Sequence, residues 1–249
     1  MEPGTRRGTT ELVSEVGKMS KSRFNVVPPD ELIQRYGADT ERVYTLFIAP
    51  PEKEAAWSDE GVVGASRFLN RVWQMGQQIF GAPAASPAPP PAPVTRKMHQ
   101  TIDAVTRRFD RFEFNTAISS LMEFSNVLGE HVGSDPGALR QPYLVLLKLL
   151  HPFAPHMTEE LWAKAGEKGF ILTSQWPKAD AALMQEDVVT IVIQVNGKRR
   201  GQIEVPHPPE EAAVMSAVQA NDKVQAWISG KEVVKTIYVP GKLVNVVVR

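Results

Sequence analysis

Val188-Val189-Thr190-Ile191-Val192-Ile193-Gln194-Val195, then Asn196-Gly197, then Lys198 to Val205, is the stretch at which this chain changes its period. Upstream of it, apolar residues recur at three- and four-residue intervals. Here β-branched residues run together on both sides of a dipeptide whose two members both accept positive φ, which is a strong short-range signal for a β-hairpin. Outward on the C-terminal side, Glu210 to Ile228 reads as helical, and Val233 to Val239 and Leu243 to Val248 read as two more strands about the turn Pro240-Gly241. Residues 187–249 are therefore expected to form a small α+β domain.

Outward on the other side, the patterns are helical. Trp176-Pro177 is a turn, and Thr158, behind breaks at Pro152 and Pro155, can cap a helix containing Leu161 and Trp162. Three more patterns run roughly Val94 to Phe112, Thr116 to Gly129 and Pro142 to Leu150, the last almost continuous in leucine and so expected to be buried. Residues 94–178 read as a helical bundle. Residues 82–93, dominated by alanine and proline, cannot hold a helical ladder and read as a solvated connector. Before it, Ser58 or Asp59 can cap a helix carrying Val62, Ala65, Leu69, Val72, Trp73 and Phe80, with Gly81 closing it. Pro28-Pro29-Asp30 opens a short helix ending at Gly37, and Asp39 caps a second with Val43, Leu46 and Phe47 on one face, stopped by Pro50-Pro51. Residues 28–81 thus form a connecting helical subdomain and the start of the bundle. Residues 1–27 are a loop region, and Met1 to Gly17, without steady periodicity, read as the edge of something larger. The expected fold class is mainly α, a helical bundle, with a small α+β domain at the C-terminus.

Composition narrows the function classes. A chain of 249 residues with 43% apolar and 22% charged residues matches an ordinary soluble protein, and no run approaches the roughly 20 apolar residues of a membrane-spanning helix. Cysteine is absent, which excludes disulfides, thiolate metal sites and cysteine nucleophiles, and no secretory signal opens the chain. A cytoplasmic location is expected, without a membrane or DNA partner. The formal net charge of +0 means that any contact with nucleic acid must rest on a local patch.

Chemistry can sit in few places. In Lys18-Met19-Ser20-Lys21-Ser22, two ammonium groups three residues apart, interleaved with hydroxyls, can converge on a polyphosphate and follow it as charge builds. The rival reading is a solvated basic loop. Lys198, Arg199 and Arg200 place cations on both faces of a strand, where they serve either as protection of a sheet edge or as contacts to RNA phosphates. His151 and His156, at a proline-rich helix junction, read as packing or backbone-bonded rather than as metal ligands, and no metal site is nominated. Glu159-Glu160 is explained by the positive end of a helix dipole. Trp57, Trp73, Trp162 and Trp227 read as core, whereas Trp176, in a turn between domains, stays open as a stacking residue.

The loop string matches the signature of class I aminoacyl-tRNA synthetases, and its setting resembles their leucine, isoleucine, valine and methionine branch. That setting is Lys18 to Asn25, then Pro29-Asp30-Glu31-Leu32-Ile33, then Tyr36-Gly37-Ala38-Asp39-Thr40. Within the branch, several stretches resemble the bacterial leucine enzymes: Phe47 to Lys53, Trp57-Ser58-Asp59, Arg67 to Trp73, Phe114 to Ile118 and Leu150 to Trp162. The tail, Gln194 to Gly201 with Tyr238 to Asn245, is similar to their tRNA-contacting C-terminal domain. Arg23 and Phe24 depart slightly from the family pattern, and both keep a cation and bulk.

The resemblance implies a role in ATP-dependent attachment of leucine to tRNA(Leu). It assigns ATP binding to Lys18, Met19, Ser20, Lys21 and Ser22, with Lys21 and Lys18 catalytic and Mg2+ arriving with the ATP. It makes the bundle an anticodon-binding-type domain, used here for docking rather than decoding, and directs Lys198, Arg199 and Arg200 to tRNA. No His-x-Gly-His string is present. ATP and leucine would thus be met together with a catalytic body outside this chain, and the chain alone is expected to be inactive. The alternatives are an isoleucine- or valine-type ligase and a non-catalytic tRNA-binding or assembly module.

Overall fold

The computed structural model describes residues 17–82, 88–185, 188–206 and 208–249. The ragged edge expected before Gly17, the middle of the 82–93 connector and Asp187, the start expected for the α+β domain, lie outside the described residues. Two compact units result, one ending at Asp180 and the other spanning Ala181–Arg249.

The first unit is all helical. Its helices are α1 (Pro29–Tyr36), α2 (Ala38–Phe47), α3 (Asp59–Gly81), α4 (Ala92–Asp110), α5 (Phe114–His131), α6 (Arg140–Leu150) and α7 (Pro155–Lys164). Helix α6 is the hub, with Tyr143, Leu146, Leu147, Leu149 and Leu150 fully buried among Phe68, Ile118, Leu121, Phe124 and Phe153. Each such side chain stabilises the fold by about 1.5–3 kcal/mol through water excluded. The phenol of Tyr143 donates to the carbonyl of Val72 at 2.6 Å. Gly76 makes that approach possible, because a Cβ there would stand 2.6 Å from the Tyr143 oxygen.

Several local expectations are corrected. Ser58, not Asp59, caps α3, its Oγ accepting from the Gly61 N–H at 3.1 Å. Gly81 lies inside α3 rather than closing it, and the C-cap is Ala82 in an extended conformation. Helix α4 begins at Ala92, inside the expected connector, since a proline just before or within a first turn gives up only an N–H that has no partner there. Thr158 does not cap α7, which starts at Pro155; its Oγ1 instead bonds back to the Ala154 carbonyl at 2.8 Å. Asp39 does not cap its own helix, because its carboxylate is taken by another. Its Oδ2 accepts from the Met157 N–H at 2.7 Å, and its Oδ1 from the His156 N–H at 3.4 Å. Thus α2 caps α7, while Arg42 one turn on donates to the carbonyls of Pro152 and Phe153.

The second unit is a four-stranded sheet covered on one face by two helices. Its strands are β1 (Val188–Val195), β2 (Lys198–Pro206), β3 (Val233–Val239) and β4 (Leu243–Val248), in the order β2-β1-β4-β3. Pairs β1–β2 and β3–β4 are antiparallel, and β1–β4 is parallel. Asn196 at φ 50° and Gly197 at φ 76° make the turn that the dipeptide predicts. The Asn196 amide also locks onto the last strand, exchanging two hydrogen bonds with the backbone of Val248. The expected single helix from Glu210 to Ile228 is two, α8 (Glu211–Gln219) and α9 (Asp222–Ile228). Asn221 breaks it by turning extended and capping Val224. Its core is Ile191, Ile193, Val195, Val205, Val214, Val218, Val224, Val244, Val246 and Val248.

Candidate phosphate-facing loop and cationic strand edge

The Lys18–Ser22 string ends in a single 3-10 turn, Lys21–Arg23, closed by the Arg23 N–H to the Ser20 carbonyl at 3.1 Å. Its brace is Asn25. That side chain accepts from the Ser20 N–H at 2.8 Å and donates to the Lys18 carbonyl at 3.3 Å, so one amide holds the start and the middle of the string. Ser20 Oγ and Ser22 Oγ lie 3.2 Å apart. Lys18 and Lys21 are exposed and take no carboxylate partner among the described residues. Two exposed ammonium groups on this braced segment, beside the hydroxyls of Ser20 and Ser22, make a surface able to face an anion. The sequence reading gave Asn25 no role; the available signal was an amide within reach of a loop that lacks other tethers.

Phe24 follows at φ 51° with its ring 94% exposed. The left-handed backbone is unusual for a bulky residue and ends the 3-10 turn, since the Phe24 N–H bonds back to Lys21.

Lys198, Arg199 and Arg200 sit at the start of β2, which is an edge strand. The register is irregular there: Gln194 faces Arg199, and Ile193 faces Gly201. Arg200 is the extra residue of a β-bulge, the kind of irregularity that re-aims a side chain. Lys198 and Arg199 are exposed, and Arg199 donates to Gln202 Oε1 at 2.7 Å. Arg200 is half-buried, its guanidinium carbon 3.4 Å from the ring centre of Trp227 in α9.

The remaining candidates are structural. His156 Nδ1 lies 2.8 Å from Asp39 Oδ1, and His151 Nδ1 lies 3.0 Å from Thr158 Oγ1, so both rings bond to side chains rather than to backbone. Both oxygens of Glu159 accept from the Ile171 N–H, at 3.0 and 3.2 Å, a tether that the dipole reading omitted. Glu160 pairs with Lys164 at 3.5 Å. Trp162 is buried, and Trp57 and Trp73 pack half-buried on the same core. Trp176 is held on the bundle by its Nε1 donating to Thr106 at 2.8 Å and by an edge contact with Phe109. Trp227 departs from the core expectation: it is 42% exposed and carries Arg200 on its face.

With that geometry in hand, known proteins can be compared. Residues 94–215 match the family model described as the anticodon-binding domain of tRNA ligase. Over 99% of its length the chain is 44% identical to a leucine–tRNA ligase of Geotalea uraniireducens, of which it covers 32%. Over its full length it is 41% identical to the leucine–tRNA ligase of Thermosipho melanesiensis, again covering 32%. Among solved structures, it resembles a LeuRS of Agrobacterium radiobacter, crystallised as a ternary complex with tRNA and LeuAMS. The TM-score is 0.79 at 31% identity, over 93% of this chain and 32% of that one. The chain therefore spans about a third of the length of these relatives.

Proposed function

Because the chain belongs with the C-terminal portion of the bacterial leucine–tRNA ligase family, we propose that it supplies two things to that reaction: the charge that handles ATP and the surfaces that hold tRNA. The reaction joins leucine to tRNA(Leu) through a leucyl-adenylate. The observation that carries this reading is the loop, where Lys18 and Lys21 stand in solvent, without carboxylate partners among the described residues, on a segment that Asn25 braces at Lys18 and Ser20.

Negative charge accumulates on the departing phosphates as the adenylate forms. Ammonium groups already in place stabilise it without reorganising water, and such groups are worth most in the transition state. Lys21 carries that role in this reading, with Lys18 assisting and Ser20 and Ser22 offering hydroxyls. Magnesium would come with the ATP. The leucine pocket and the rest of the nucleotide site belong to a catalytic body beyond this chain. The bundle docks tRNA rather than reading its anticodon, and Lys198, Arg199 and Arg200 meet tRNA phosphates from the tail. A cytoplasmic location accords with that role, and no described helix is long and apolar enough to cross a membrane.

The test is leucine-dependent ATP–pyrophosphate exchange in an enzyme that joins this chain to its catalytic body. Lys21→Ala should lower the rate by about 10² to 10³. A rate within about threefold of wild type would remove Lys21 from the chemistry.

A further inference from the structure

We infer that the edge of β2 and the start of α9 form one RNA-backbone site, in which Trp227 is a positioning residue that presents Arg200 to a phosphate beside Arg199 and Lys223. This rests on the reading above that the tail meets tRNA, and it adds Trp227 and Lys223, which the sequence reading did not assign to RNA.

A cleft of about 770 Å³ opens at this edge, lined by Arg199, Arg200, Gly201 and Gln202 from the strand and Ala220 to Lys223 from the helical side. Three cations face it against one carboxylate, Asp222, and none of the three forms an ion pair among the described residues. In a chain of zero formal net charge, that is a local concentration of unpaired positive charge.

Two features make it a built surface rather than a scatter of solvated cations. The first is the bulge. It leaves Arg200 unpaired between the Gln194–Arg199 and Ile193–Gly201 pairs, so two adjacent cations line the same cleft. Gly201 beside them eases the packing: a Cβ there would meet Val224 Cγ2 at 3.2 Å, so α9 would have to give by a few tenths of an ångström. The second is the stack. The Arg200 guanidinium carbon stands 3.4 Å over the centre of the Trp227 ring, with its Nε buried and without an acceptor among the described residues. An arginine restrained in this way loses little freedom when its remaining nitrogens engage a ligand, and no acceptor among the described residues takes them. The planar fork matches two oxygens of a phosphate. Lys223 across the cleft and Arg199 around the edge offer further charges, which suits successive phosphates of a ribose-phosphate backbone better than a single small anion.

The test measures binding of a tRNA(Leu) transcript to the full chain across a salt series, for wild type and for Arg200→Gln, Lys223→Gln, Trp227→Leu and Trp227→Phe. Arg200→Gln should weaken binding about tenfold and lower the slope of log affinity against log salt by just under one. Lys223→Gln should lower the slope likewise. Trp227→Leu removes no charge yet should weaken binding by nearly as much as Arg200→Gln, and the two changes together should cost little more than either alone. Trp227→Phe, keeping a π face, should restore most of the affinity. If Trp227→Leu disturbs the fold, the two surface changes and Trp227→Phe still decide the matter. Wild-type binding by Arg200→Gln and Lys223→Gln, while a chain lacking Ala181–Arg249 loses affinity, would overturn this site and leave the tail's tRNA role standing. Unchanged binding by that truncated chain would overturn the tail reading itself. Equal competition by polyglutamate of matched charge would show an unselective anion surface and overturn the RNA assignment.

Discussion

Tyr143 illustrates how far a single residue can be read from sequence. Its burial was legible, because it sits within a nearly unbroken leucine run that leaves no polar face. Its partner was not, since the Val72 carbonyl lies 71 residues away and nothing in either segment points to the other. Burial pushes the phenol far above the ordinary tyrosine value, with the Gly76 backbone opposing in part. The unfolded chain should ionise near pH 10. Above that pH the native state keeps a proton that the unfolded state has lost, so the stability due to this group, complete below pH 10, falls as pH rises. Each such tyrosine contributes a slope of up to about 1.4 kcal/mol per pH unit. Tyr143→Phe should cost about 1 kcal/mol at pH 8 and flatten the alkaline loss. Tyr44, also raised chiefly by burial, should retain its own share. Urea unfolding at pH 8 and pH 11 measures both effects, and parallel losses in the two proteins would mean that native Tyr143 ionises as freely as the unfolded residue. Phe24 shows the opposite limit: no local rule places a phenylalanine at positive φ, and only the surrounding turn requires it.

Elements were legible where their signal is local. The hairpin at Asn196-Gly197 is fixed by two residues that tolerate positive φ, and α6 by its leucines. The division of 210–228 into two helices was hidden, because Asn221 is also tolerated inside a helix and its capping geometry appears only when the chain turns there. The β2 bulge was hidden for a related reason: register belongs to a pair of strands, and neither strand alone reveals the extra residue. Helix α7 is the sharpest case. Sequence offers Thr158 as its cap, but the backbone N–H groups at its start are satisfied by Asp39, 118 residues from Met157. The positive end of one helix can take its carboxylate from any neighbour that reaches it. Asp39→Ala should therefore cost about 1–2 kcal/mol, the usual value of a lost cap. His156→Ala should cost far less, since that ring is mostly exposed and the bond to the Met157 N–H remains. Equal urea midpoints for Asp39→Ala and wild type would show that water replaces the carboxylate and that α2 does not hold α7.

At the scale of the whole chain, composition gives the balance of charge but does not locate it. A formal net charge of +0 conceals two lysines on the Lys18–Ser22 loop that have no carboxylate partner among the described residues, and a cationic edge on β2. These two surfaces lie in different compact units, each with its own buried core, and no buried residue of one core cluster belongs to the other. Separate cores imply separable functions, because loss of the sheet should leave the packing around α6 intact. In an enzyme completed by its catalytic body, removal of Ala181–Arg249 should therefore weaken tRNA binding and leucylation while leaving ATP–pyrophosphate exchange within about twofold, since the function proposed above assigns exchange to the loop and tRNA contacts to the sheet. Tenfold weaker binding corresponds to about 1.4 kcal/mol, which is no more than one well-placed charged hydrogen bond supplies. Thermal unfolding of the truncated protein should stay cooperative. If exchange fell as far as leucylation, the sheet would be supporting the helical unit, and the independence of the two cores would be wrong. If leucylation were unchanged, the cations of β2 would be edge protection alone.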